Sequence, residues 1–274
     1  MLAFLDIHDW SVGIDFSGAP DLSSRWLGYT ASHARQGGPD ASADIVAEVE
    51  LVPGWINKEH RKGEEESSTD RIALSTPVIR GELHRTEAGY RGRIKAKGDD
   101  IETLDGIASL LLAILAEEKG QIVLHSSAVA KDGLAWMFVG DGGAGKTTIA
   151  VELNGGRTPL SVDRTLVAFE EDGTAIAHST PFGDRNKDLP GPGQAKIAGI
   201  FFIEQADVHQ VLPVSPWDAT RLLLAQTIAP TRAQATVQKV MDAVGKLVDL
   251  DCCHRLRFRK DDGFWPLIDE ALAK

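Results

Sequence analysis

The chain has 274 residues, 43% hydrophobic and 25% charged, the proportions of a globular protein with room for one large domain or two modest ones. Its 29 Lys and Arg against 40 Asp and Glu give a formal net charge of −11 at pH 7. That balance argues against a nucleic-acid partner, which needs clustered cations to neutralise phosphate, and against a polybasic membrane anchor.

No apolar run reaches the length of a bilayer span, and the acidic start Met1–Asp6 lacks the basic region of a secretory signal. The expected compartment is the cytoplasm. Cys252 and Cys253 are adjacent, which disfavours a structural disulfide, and two thiols are too few for a zinc site.

From Met1 to Asp99 short extended segments alternate with polar loops, which predicts a small β-rich N-terminal domain over 1–99. Ile45–Val52, bounded by Pro53-Gly54, reads as a strand, as do Arg71–Leu74 and Val78–Leu83. Tyr90–Ala96 after Glu87-Ala88-Gly89 completes a hairpin. Arg35–Ser42 reads as a flexible connector, and the charged stretch Asn57–Asp70 as a solvated loop or, less economically, a docking element.

Asp99-Asp100 marks the expected boundary, with an α/β domain over 100–274. Ile101, Leu104, Ile107, Leu110, Leu111, Ile114 and Leu115 recur at helical spacing, apolar on more than one face, so this helix should be buried. Gln121–Leu124 follows as a strand running out at His125-Ser126-Ser127. Leu134–Val139 is a short apolar strand, and Thr148–Leu153 is helix material stopped at Asn154-Gly155-Gly156.

Between them stands Gly140-Asp141-Gly142-Gly143-Ala144-Gly145-Lys146-Thr147, which fits G-x-x-x-x-G-K-[ST] at every fixed position. Strand, glycine loop and helix give that pattern its mechanism. The glycines let backbone N–H groups converge on phosphate oxygens, and the following helix adds its own unpaired N–H groups, Thr148 included. Lys146 suits the β- and γ-phosphates, and the Thr147 hydroxyl the accompanying Mg²⁺. The phosphates of a nucleotide and the accompanying Mg²⁺ are therefore the expected ligands. The plain alternative is a glycine-rich turn joining a strand to a helix, which requires no Lys-Thr pair.

Beyond the loop, Pro159–Val162 reads as a return strand ending at Asp163. Leu166–Phe169 and Thr174–Ala177 make a hairpin, and Ile197–Ile203 is the strongest buried-strand signal. Helices are predicted over 216–228, 233–248 and 264–272, with Arg255–Arg259 as an edge strand. The Gly/Pro-punctuated loop Pro181–Gly193 is of the kind that carries binding or lid functions.

Asp163 is the first carboxylate at a strand end after the loop, placed to bind the metal or accept a hydroxyl proton; the competing reading is a turn aspartate. His125 lies at a strand's carboxyl end, where α/β proteins gather their sites, although a single His is often structural.

The series L-H-S-S-A-V-A at 124–130, F-V-G-D-G-G-A-G-K-T-T at 138–148 and L-S-V-D-R at 160–164 resembles the HPr kinase-like family, whose core is related to phosphoenolpyruvate carboxykinases. T-P-F-G-D at 180–184 and R-L-R-F-R at 255–259 are also similar to the HPr kinase-related proteins of bacterial peptide-modification clusters. The resemblance covers about 100–270 and implies an α/β fold, a mixed sheet with the phosphate loop and flanking helices.

It further implies an ATP-dependent kinase acting on a Ser or Thr hydroxyl of a protein or ribosomally made peptide. Lys146 and Thr147 would hold phosphates and Mg²⁺, Asp163 would be general base or metal ligand, and His125 would assist at the phosphates. HPr kinases assemble into oligomers, so a homo-oligomer is a further expectation.

One departure stands out: the family carries two consecutive acidic residues after the return strand, and this chain has Val162-Asp163-Arg164. Arg164 and Arg185 are candidates for stabilising transferred phosphate charge. The departure keeps a second reading in play, a nucleotide-binding regulatory or scaffold protein with weak or lost transfer. A carboxykinase acting on a small metabolite is disfavoured by the short chain and the lack of a carboxylate-substrate clamp.

Overall fold

The computed structural model describes residues 2–16, 20–37, 43–58, 68, 70–183, 191–230 and 234–273. They form two compact units, Met1–Glu118 with Ala229–Gln238, and Lys119–Ile228 with Lys239–Lys274. The expected boundary at 99/100 is displaced: helix 101–118 belongs to the first unit.

The first unit is built on β1 (Leu2–Ile7), β2 (Trp10–Asp15), β3 (Ala34–Gly37), β4 (Ile45–Val52), β5 (Arg71–Thr76), β6 (Ile79–Thr86) and β7 (Gly89–Lys97). They form one seven-stranded sheet in the order β3-β1-β2-β4-β7-β6-β5. The hairpins β1–β2, β5–β6 and β6–β7 are antiparallel, whereas β4 runs parallel to both β2 and β7. Arg35–Gly37, expected as connector, is part of β3 and pairs with β1; the remainder of that stretch, 38–42, lies outside the described residues. So do 59–67 and 69 of the expected charged loop.

Helix α1 (Pro20–Tyr29) is an element the sequence reading did not identify. It contributes Trp26, fully buried, whose Nε1 donates to the buried Asp105 carboxylate at 3.1 Å. Asp105 lies on α2 (Ile101–Glu118), whose near-continuous buried residues include Leu104, Ile107, Leu111 and Ile114. This apolar helix packs against β2 and α1, which is why it joins the first unit.

The second unit holds β8 (Ile122–Leu124), β9 (Ser126–Lys131), β10 (Leu134–Val139), α3 (Lys146–Val151), β11 (Thr158–Ser161), β12 (Thr165–Phe169), β13 (Ala175–His178), β14 (Gln194–Gln205), β15 (Gln210–Pro213), α4 (Pro216–Gln226), α5 (Gln234–Asp249, from Lys239 onward), β16 (Cys253–Phe258) and α6 (Trp265–Leu272). The main path of its sheet is β11-β9-β10-β14-β13-β12-β8. Long β14 serves two partners on one side, β13 along its first residues and β16 along its last.

β10, β14 and β16 are mutually parallel and end together at Val139, Gln205 and Phe258. β9 is antiparallel to both β10 and β11, so β11 also runs in the direction of β10. Four strands thus deliver their carboxyl ends toward one edge, the edge where sheets of this kind collect ligand-binding groups. Arg255–Phe258, expected at an edge, is interior: β16 has β14 on one side and β15 on the other.

Two apolar cores flank this sheet. One joins Met137, Ile200 and Phe202 to Leu223 of α4 and Val244 and Leu247 of α5. The other joins Phe138, Phe201 and Phe258 to Ile149 of α3 and Trp265 of α6. Among the described residues no helix is long and apolar enough to cross a membrane.

Candidate functional site

β10 leads directly into Gly140–Gly145, and α3 begins at Lys146, so strand, loop and helix follow one another as the motif requires. Gly143 (φ 80°) and Gly145 (φ 110°) lie in the left-handed region, which side chains disfavour. At Gly145 a Cβ would also stand 2.8 Å from the Phe258 ring, so this position is closed to other residues twice over. Gln205, at the end of β14, donates through Nε2 to the Gly143 carbonyl at 3.0 Å and ties the loop to the neighbouring strand.

Helix α3 lies two residues earlier than expected, Lys146–Val151 rather than Thr148–Leu153. Its first helical bond is donated by Ile149 N–H to the Gly145 carbonyl. The N–H groups of Lys146, Thr147 and Thr148 therefore precede the helical ladder and are left for other acceptors.

Lys146 is only 6% exposed. Its ammonium donates to the carbonyls of Gly140 (2.7 Å) and Asp141 (3.0 Å), folding the lysine across its own loop. Burial lowers its pKa, opposed by the charges of Asp163 and Asp141 and reinforced by Arg164. The Ser127 hydroxyl supports the same residue by donating to the Lys146 carbonyl at 2.9 Å.

Asp163 follows β11 and lies in the electrostatic reach of Lys146. One carboxylate oxygen stands 3.1 Å from His125 Nε2, and the other is paired with the Arg164 guanidinium. Burial pushes the Asp163 carboxyl up, but the His125 hydrogen bond and the charges of Arg164, His125 and Lys146 outweigh it and hold the pKa below the usual carboxylate value. At neutral pH Asp163 is therefore an anion.

His125 directly follows the carboxyl end of β8 and is a single-residue break before β9. The break arises because Ile122–Leu124 pairs with β12 whereas Ser126–Lys131 pairs with β10. His125 is fixed at two points by Gln226, the last residue of α4. Its N–H donates to the Gln226 carbonyl at 2.7 Å, and its Nδ1 lies 3.0 Å from Gln226 Oε1.

Gln226 Nε2 in turn donates to Asp141 Oδ1 at 2.9 Å, which leaves the amide oxygen to face His125. Nδ1 of His125 thus faces the Gln226 amide oxygen, and Nε2 faces the Asp163 carboxylate. A continuous chain runs from Asp141 in the loop through Gln226 and His125 to Asp163 and Arg164. The sequence singled out Asp141, His125, Asp163 and Arg164, and missed Gln226 and Gln205.

The T-P-F-G segment forms the floor under Asp163. Thr180 Oγ1 donates to the Arg164 carbonyl, Phe182 is fully buried, and a Cβ on Gly183 (φ 80°) would stand 2.3 Å from the Asp163 Cβ. Residues 184–190 of the expected lid loop, Arg185 among them, lie outside the described residues.

Among the described residues no group of three or more His, Cys, Asp or Glu side chains is arranged to hold a metal ion by itself. The oxygens available are the Thr147 hydroxyl, which donates to the Val162 carbonyl at 3.4 Å, and the neighbouring Asp163 carboxylate. One or two protein oxygens completed by phosphate and water is the donor set Mg²⁺ favours, so these residues fit it.

On the far side of the loop from Asp163 a cavity of about 490 Å³ opens. Gly145 and Thr148 form one wall, Gln205, Ala206 and Asp207 another, and Phe258, Arg259 and Lys260 a third.

No protein-family model matches the chain, and no curated protein matches it. Among solved structures it is similar to the HPr(Ser) kinase/phosphatase from Coxiella burnetii, with 11% sequence identity and a TM-score of 0.29 over 55% of this chain and 93% of that one.

Proposed function

We propose that the chain is an Mg²⁺-dependent kinase that transfers the γ-phosphate of ATP to a Ser or Thr hydroxyl of a protein or ribosomally made peptide. The observation that carries this reading is the meeting of a buried P-loop lysine, Lys146, with an ionised carboxylate, Asp163, that His125 and Arg164 hold in place.

Bound phosphates would draw the Lys146 ammonium from the carbonyls of Gly140 and Asp141 and receive the N–H groups at the start of α3. Mg²⁺, held by Thr147 and Asp163, would neutralise charge on the phosphate oxygens.

Asp163 would accept a hydrogen bond from the acceptor hydroxyl and align it with the γ-phosphorus. The hydroxyl oxygen then bonds to phosphorus as the bond to the β-phosphate oxygen breaks, ADP leaves, and the hydroxyl proton passes to the carboxylate. A carboxylate of lowered pKa is a weak base, so its main contribution is alignment, with proton transfer late in a loose transition state. Gln226 sets the orientation of His125, and His125 that of Asp163. The first unit or the 181–193 loop would bind part of the target.

A second reading is kept by one observation. The resembled family has a second acidic residue where this chain has Val162, and Arg164 pairs with Asp163 and competes for the carboxylate. A nucleotide-binding regulatory protein with weak transfer would have that arrangement. Intact-mass measurement after incubation with Mg²⁺-ATP and candidate peptides separates the two. One added phosphate on a peptide, lost in Lys146→Ala, supports the kinase, and tight Mg²⁺-ATP binding without product under any peptide supports the regulator.

A further inference from the structure

The sheet order gives the site a direction. Along the edge where the parallel strands end, Asp163 follows β11 and the cavity lies at the ends of β14 and β16, with the β10 loop between them. A linear molecule whose phosphates lie on the loop has Asp163 and His125 at one end and the cavity at the other. We infer that the cavity lined by Thr148, Asp207, Phe258 and Arg259 takes the nucleoside end of a nucleoside triphosphate, pointing the terminal phosphate at Asp163. The inference rests on the kinase reading and adds to it the residues that recognise ribose and base.

Three observations carry it. The volume, about 490 Å³, is within the range of small-molecule sites, roughly 300–1,000 Å³. Its wall is continuous with the loop: Gly145 and Thr148 line it directly, and the Phe258 ring rests against Gly145. Its chemistry also differs from that of the Asp163 side. The Asp207 carboxylate is an acceptor suited to a vicinal diol, and the Arg259 guanidinium offers a planar face and donors suited to a base.

Arg259 is already oriented for this, its Nε held by the Asp261 carboxylate at 2.5 Å. Asp261 is itself fixed by the backbone N–H of Gly263 and by His209 at 2.6 Å, so the guanidinium is braced from behind. Neither Asp207 nor Arg259 touches the Asp141–Gln226–His125–Asp163 chain, and substituting them leaves that chain intact.

The test is calorimetric titration of the full chain with three probes in the presence of Mg²⁺: ATP, 2′,3′-dideoxy-ATP and inorganic tripolyphosphate. Wild type should bind ATP about tenfold more tightly than tripolyphosphate. Asp207→Asn and Arg259→Ala should each weaken ATP about tenfold while holding tripolyphosphate within about twofold, which also shows that the variants fold. Asp207→Asn should further abolish discrimination between ATP and the dideoxy analogue.

Equal wild-type affinity for ATP and tripolyphosphate would overturn the inference. So would ATP affinity indifferent to Asp207 and Arg259 but lost in Lys146→Ala, an outcome that leaves the nucleotide reading standing. No binding of any probe by wild type would remove both.

Discussion

The two sheets of this protein treat charge in opposite ways. In the first unit ion pairs lie across neighbouring strands on exposed faces: Arg93 with Glu48 at 2.7 Å, Lys95 with Glu50 at 3.0 Å, and Arg71 with Glu82 at 2.7 Å. These pairs lie with water around them, the arrangement of a solvated surface that specifies strand register and stabilises little. In the second unit Lys146, His125 and Arg164 converge on one carboxylate at the end of the return strand, and burial works against the charge of both Lys146 and Asp163. Similar side chains form a ladder in one place and a reactive cluster in the other. What differs is how many charges share a volume from which water is partly withdrawn.

Substitutions sharpen this contrast, and the largest effect should come from the cluster's centre. Asp163→Asn removes the charge while keeping the shape, and phosphate transfer should fall about a thousandfold with ATP affinity changed only a few fold, as single-turnover kinetics and calorimetry would report. Lys146→Ala should weaken Mg²⁺-ATP about 100-fold by equilibrium titration, because a buried charge-assisted contact to phosphate is lost.

Gln226→Leu should lower kcat about tenfold at nearly constant KM, since it frees His125 to turn without touching the phosphates. A comparable rise in KM would assign Gln226 to binding instead.

Gly183→Ala tests the floor. Its φ of 80° and its contact with Asp163 predict a loss of roughly 1–3 kcal/mol in unfolding free energy together with lowered transfer. Arg93→Ala, the control in the first unit, should change stability by less than about 1 kcal/mol and leave transfer untouched. A large effect there would break the contrast.

The pH dependence has a definite sign. Asp163 is held below its usual value, so its ionised form stabilises the folded state at neutral pH, and this contribution is lost only as pH falls below the ordinary carboxylate range through the lowered value. The stability difference between wild type and Asp163→Asn should therefore be flat near neutrality and shrink in acid.

Much of this was legible in the residues because it is local. The apolar run Leu134–Val139, the glycines of 140–145 and the Lys146-Thr147 pair specify strand, loop and helix without reference to anything distant. The hairpin β6–β7 was legible for the same reason, its turn residues lying between two alternating segments.

What escaped depended on contacts far along the chain. Gln226 stands 101 residues from His125, and nothing in its own neighbourhood marks an amide that orients an imidazole. The division of 122–131 into β8 and β9 carries no Gly or Pro signal, because it arises from a change of partner strand rather than from a turn. Arg255–Phe258 alternates as an edge strand would, yet β15 covers it. β15 itself is mostly exposed and shows no periodicity by which to find it. Helix α1 was missed because few of its residues beyond Trp26 and Ser23 are buried, too thin an apolar stripe to declare itself.

The most direct measurement is transfer of labelled γ-phosphate to an acceptor peptide, by wild type and by Asp163→Asn, each first shown by calorimetry to be saturated with Mg²⁺-ATP. The account predicts rapid labelling by wild type and almost none by the variant at equal nucleotide occupancy. Undiminished labelling by Asp163→Asn would contradict it, because the ionised carboxylate held by His125 and Arg164 would then have no part in the chemistry.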